Sequence, residues 1–96
     1  MQNQTEWVIK EGDNCFYVAD DEGTVMAEVS YVPTGDKLAI IDSMYLHSSL
    51  RESGIHRLLI ESIVNKMRQE QRQIIPLCPL ARDEFDMTPD YRDIRA

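Results

Sequence analysis

The chain has 96 residues, 43% hydrophobic and 28% charged, with only four glycines and four prolines; this is the composition of one folded domain, 1–96, too small to divide cofactor and substrate binding between two units. Seventeen acidic residues against ten basic ones leave a net charge of −7, which argues against a nucleic-acid partner because neutralising phosphates takes a concentrated Lys/Arg surface. No stretch reaches the apolar length of a membrane span, and Met1–Glu6 lacks the basic start and apolar core of a secretion signal, so a cytoplasmic address without membrane association is expected.

Trp7–Glu11, Asn14–Ala19 and Thr24–Val32 are rich in β-branched and aromatic residues and are separated by Gly12-Asp13 and Asp20–Gly23, which predicts three strands in an antiparallel meander. Pro33–Asp36 is the next turn and Lys37–Leu46 a longer fourth strand. From Gly54 the apolar residues Ile55, Leu58, Leu59, Ile63 and Met67 recur at three-and-four spacing, which predicts a helix on one face of the sheet to about residue 70. Gln73–Leu77 then reads as a fifth strand, parallel to the fourth because a helical crossover joins them. The tail Arg82–Ala96 is charged, with Phe85, Met87, Tyr91 and Ile94 as anchors and Thr88–Asp90 as the start of a last short helix.

The junction between the fourth strand and the helix, Arg51-Glu52-Ser53-Gly54, is the first place to look for chemistry. The opening N–H groups of a helix lack intrahelical acceptors, and the peptide dipoles add partial positive charge there, so a phosphate is expected on this turn. Gly54 lacks the Cβ that would keep a pyrophosphate from the backbone. The two cysteines match no zinc spacing, and His47 and His56 suggest no metal site. Cys15, in mid-strand, is expected to pack. Cys78, set between Pro76 and Pro79 after the fifth strand, is open to packing or to thiol chemistry.

Four strands, a helix entered through Arg-x-x-Gly, a fifth strand and a short tail are joined by three further marks: Asn14-Cys15-Phe16 on the second strand, Tyr31 closing the third, and Pro76-Leu77-Cys78-Pro79 after the fifth. In this order the chain resembles the GNAT superfamily of acetyl-coenzyme A-dependent N-acetyltransferases, and over residues 6 to 92 it is similar to the smallest single-domain members. The resemblance implies an α/β (α+β) fold: a mixed five-stranded sheet, an antiparallel meander with strands 4 and 5 parallel, one main crossover helix and a short C-terminal helix.

In that superfamily the acetyl-coenzyme A pyrophosphate rests on a turn of pattern Gln/Arg-x-x-Gly-x-Gly/Ala, which implies cofactor contacts at Arg51, Glu52, Ser53, Gly54, Ile55, His56 and Arg57. Here the pattern closes on His56 rather than a small residue, and Glu52 places a carboxylate beside the diphosphate. The imidazole crowds the groove or donates to phosphate, while Arg51 and Arg57 supply local positive charge. The resemblance also implies that main-chain groups of Met44, Tyr45 and Leu46 hold the pantetheine arm, one N–H meeting the acetyl carbonyl, a contact worth about 3 kcal/mol in the transition state.

Cys78 would lie near the thioester as nucleophile, as acid for the departing thiolate, or as a packing residue. Tyr31 leads Glu28, Asp42 and Tyr91 as a group to bind the amine or take its proton. The expected function is transfer of acetyl from acetyl-coenzyme A, a co-substrate used without a metal, to a primary amine. The alternative is a catalytically impaired domain of the same fold that binds acyl-coenzyme A or a protein. An exposed sheet edge leaves room for a homodimer.

Overall fold

A computed structural model describes residues 7–96. Five strands follow one another in chain order: β1 (Lys10–Gly12), β2 (Cys15–Ala19), β3 (Val25–Thr34), β4 (Leu38–Leu46) and β5 (Gln73–Pro76) form a sheet of order β1-β2-β3-β4-β5. Pairing is antiparallel through β4 and parallel between β4 and β5, as expected. The first strand is shorter than its β-branched content suggested. Pro33 lies within β3 opposite Ala39 rather than in the turn, near a strand end where a missing ladder donor is tolerated.

Alternation along the strands sorts the side chains. Phe16, Val18, Ala27, Val29, Tyr31, Ala39, Ile41 and Ile74 are buried on one side of the sheet. Across that side lies α1 (Ile55–Gln69), packed through Ile55, Leu59, Ile60, Ile63, Val64 and Met67. Leu58, expected on this face, is exposed, and Ile60 and Val64 are buried in addition to the expected set, so the apolar stripe is turned slightly from the predicted one. β4 carries a bulge. Ser30 pairs with Ser43 but Tyr31 with Ile41, leaving Asp42 as an extra residue. The bulge reverses the alternation, so Met44 and Leu46 rejoin the helix side while Tyr45 turns outward.

α1 ends on Gln71, whose φ of 61° is left-handed. The Arg72 N–H donates to Met67 O at 2.9 Å and the Gln71 N–H to Arg68 O at 3.2 Å, closing the last turn in a Schellman arrangement whose left-handed position favours glycine. Gln71→Gly is therefore expected to raise the unfolding free energy by about 0.5–1 kcal/mol. Urea unfolding would show a higher midpoint with an unchanged slope.

A second helix, α2 (Pro79–Met87), stands where no helix was expected. Pro79 supplies a fixed φ at its first turn, and Ala81 and Phe85, four apart, are buried. Phe85, Tyr91 and Ile94 serve as anchors, but Met87 is exposed. The expected start at Thr88-Pro89 makes one 3-10 turn, Pro89–Tyr91. Beyond it the chain returns to the sheet: Ile74 N donates to Ile94 O at 2.7 Å and Ala96 N to Ile74 O at 2.9 Å. The outer edge of β5 is thus covered, and β1 is the edge left for pairing among the described residues. No helix among the described residues is long and apolar enough to cross a membrane.

Candidate functional site

β4 and β5 pair from Leu38 with Gln73 to Ile41 with Pro76, and then part. The N–H groups of Leu77 and Cys78 both donate to Ile41 O, at 3.1 and 3.2 Å, and the chain then leaves as α2. β4 continues to Leu46 with its β5-side edge bare. His47 N donates to Met26 O across the sheet at 2.8 Å, so alternation along an antiparallel pair points the backbone groups of Met44 and Leu46 away from β3, into the gap. A groove of about 620 Å³ fills this gap, lined by Met44, Tyr45, Leu46, Arg51, His56 and Leu80.

The groove brings together the whole fourth-strand trio named from the sequence and, from the turn, Arg51 and His56. Leu80 is an addition from the unexpected α2. Arg57 is drawn elsewhere, its Nε 3.3 Å from Glu84 Oε1, so its positive charge is partly spent on α2. Ile55 is a core residue at 3% exposure and Glu52 is exposed.

The turn itself is built by Ser53 and Gly54. Ser53 Oγ donates to Leu50 O at 2.7 Å and accepts from Ile55 N at 3.1 Å, while Ser53 N donates to Leu50 O at 3.1 Å. Two of the amides after Arg51 are therefore satisfied from within. Those of Glu52, Gly54 and His56 meet no acceptor among the described residues. Gly54 has φ 81° and ψ 6°, and a Cβ there would meet open space. Backbone conformation alone therefore favours glycine here, in addition to the close approach of a ligand expected from the sequence. A left-handed residue against a right-handed helical turn gathers successive N–H groups into a concavity suited to anions. His56 adds a side chain to it: Nδ1 is buried without a hydrogen-bond partner among the described residues, a state that costs free energy unless a ligand supplies the partner.

Two residues expected in the chemistry lie outside this lining. Tyr31 shares the inward phase of Ala27 and Val29, is 3% exposed, stacks on Phe16 with ring centroids 6.4 Å apart, and has its hydroxyl beside Lys66 of α1. Alternation thus commits Tyr31 to the core. Cys78 stands at the branch point as the N-cap residue of α2, 9% exposed, its carbonyl accepting from Arg82 N at 2.8 Å.

A sequence model described as GCN5-related N-acetyl-transferase matches residues 15–94. The chain belongs to this family. Among solved structures it is similar to a GCN5-like candidate N-acetyltransferase from Staphylococcus aureus, with 28% identity and a TM-score of 0.79 over 93% of this chain and 87% of that one. The fold recurs in the ribosomal-protein-S18-alanine N-acetyltransferase of Escherichia coli, at 13% identity and TM-score 0.63 over 80% of this chain and 53% of that one. It recurs again in a GNAT family N-acetyltransferase from Escherichia coli in complex with CoA, at 17% identity and TM-score 0.56 over 66% of this chain and 38% of that one. This family member thus spans about half or less of the two larger enzymes. No curated protein matches the sequence significantly.

Proposed function

We propose that the protein transfers acetyl from acetyl-coenzyme A to a primary amine in the groove between β4 and α2. The observation that carries this reading is the conjunction at one gap of the edge amides of Met44 and Leu46 with the amide and Nδ1 of His56, both without a partner among the described residues, next to the Gly54 turn. Diphosphate would rest on the turn with Arg51 beside it, and the pantetheine arm would run along β4. A neutral amine then attacks the thioester carbon. The N–H of Met44 or Leu46 meets the developing oxyanion, worth about 3 kcal/mol, and collapse breaks the C–S bond. The proton lost by nitrogen ends on the departing sulfur. Cys78, nearly buried and outside the groove lining, favours direct attack over an acetyl-cysteine step.

His56→Ala is expected to weaken coenzyme A binding about tenfold, or ~1.4 kcal/mol, the loss of one charge-assisted hydrogen bond. Calorimetric titration reads this directly, and tighter binding would mean that the ring obstructs.

One observation favours a second reading, a domain that binds acyl-coenzyme A without turnover: Ser53 and Leu50 already occupy two turn amides, and the Glu52 carboxylate sits between Arg51 and Gly54. Thermal shift with coenzyme A, followed by thiol release from acetyl-coenzyme A with an amine panel, separates the two. A raised melting temperature with thiol release supports acetyl transfer, because a ligand of the folded state alone stabilises it by mass action. A raised temperature without release supports the second reading. No shift at millimolar coenzyme A overturns both.

A further inference from the structure

Both helices pack on the side of Phe16, Val29 and Ile41, and among the described residues no element covers the other side of the sheet. On that open side the strand register sets three residues in one row: Tyr17 pairs with Glu28, and Glu28 with Tyr45. Adjacent strands lie about 4.8 Å apart, so the backbone sets a tyrosine on each side of Glu28, and the Tyr17 ring leans toward Gly12 of β1. Glu28 is half-buried and makes no ion pair among the described residues. Its polar neighbour is the Cys15 thiol, which is pressed against Gly12, where a Cβ would stand 2.8 Å from Sγ. Burial and this carboxylate push the thiol pKa up, so the thiol stays a donor and adds no opposing charge. Lys10 of β1, paired with Tyr17, makes no ion pair with the carboxylate.

A carboxylate with aromatic residues on both neighbouring strands suits an alkylammonium, which gains from the charge and from any ring face it can reach. We propose that Glu28, Tyr17 and Tyr45 form the acceptor subsite, and that they bind a second cationic group of the acceptor, not the nitrogen that is acetylated. A nitrogen ion-paired to Glu28 is protonated and cannot attack. The groove begins on the far side of β4, and Tyr45 belongs to both places, so the two nitrogens of the acceptor stand about two strand spacings, or about 10 Å, apart. The acceptor class is therefore an extended dication. The proposal rests on the acetyl-transfer reading for its role but not for its binding site.

The test uses 1,7-diaminoheptane against 1-aminoheptane, which share a chain and differ in one charge. In the full-length protein labelled with 15N, the diamine is expected to shift the amides of Tyr17, Glu28 and Tyr45 in a salt-sensitive manner, and the monoamine to do so at least tenfold more weakly. Glu28→Gln should level the two ligands, while Asp21→Asn, which removes a charge in the exposed β2–β3 turn, should leave the preference intact. In the acetyl-transfer assay the same preference is expected in KM for the amine, and its loss in Glu28→Gln should fall on that KM. Amide shifts with no transfer to either amine would keep the subsite and remove the reading it serves. Transfer with equal KM for both amines, or a titration that leaves the three amides unmoved, overturns the proposal whatever coenzyme A does.

Discussion

Phe85→Ala is expected to be among the most destabilising single changes in the chain, costing about 3–5 kcal/mol. Phe85 is 4% exposed and its ring lies 5.1 Å from that of Tyr91, tilted by 51°, so truncation opens a cavity that two elements share. Small domains hold only about 5–15 kcal/mol in total, and the melting temperature should fall by about 15 °C or more. The loss should also reach function. α2 is held to the core through Ala81 and Phe85, and Leu80 on the same helix walls the groove. Coenzyme A should therefore stabilise the variant less than the parent even at temperatures where both are folded, which calorimetry in the presence of ligand would read. A variant that lost stability but kept full affinity would show that α2 does not shape the site.

Gly54→Val should abolish most coenzyme A binding while the sheet stays folded. At φ 81° a β-branched residue is strongly disfavoured, and the cost of about 1–2 kcal/mol in the left-handed region is met by re-forming the turn. The amides of Gly54 and His56 then lose their common aim. Because a Cβ at this position meets no protein atom, the defect would come from the backbone or from the ligand's approach and not from packing. Gly54→Asn is the control, since asparagine tolerates left-handed conformation, and it should keep most of the thermal shift that Val loses. Equal losses in Asn and Val would instead assign the role of Gly54 to close approach by the ligand.

Much of the architecture was legible in the order of residues. Alternating apolar runs with Gly12-Asp13 and Asp20–Gly23 between them define hairpins by local chemistry, and a crossover helix leaves the next strand parallel to its partner. α2 was hidden because only Ala81 and Phe85 of its nine residues are buried, and Arg82-Asp83-Glu84 between them reads as a solvated tail. Pro79 directly after Cys78 was the available signal, a proline fit for a first helical turn. At the candidate site, the trio Met44, Tyr45 and Leu46 and the pair Arg51 and His56 were named because strand and turn each carry a local pattern, and the fold sets them around one groove. Tyr31 was named by likeness, although its two-residue spacing from Val29 and Ala27 already placed it on the helix side. The pairing of Ile94 and Ala96 with Ile74 had no local trace, being a contact between segments twenty or more residues apart.

The extra residue in β4 has a consequence for how this sequence tolerates change. Parity along a strand has only two values, and Asp42 sets it for everything downstream. A side-chain exchange at Asp42 alters one exposed group, whereas removal of that single codon would send Tyr45 beneath the helix and expel Met44 and Leu46 into water. Length at this point is thus a stricter requirement than identity, and natural variation here should consist of substitutions, with insertions and deletions displaced to the turns.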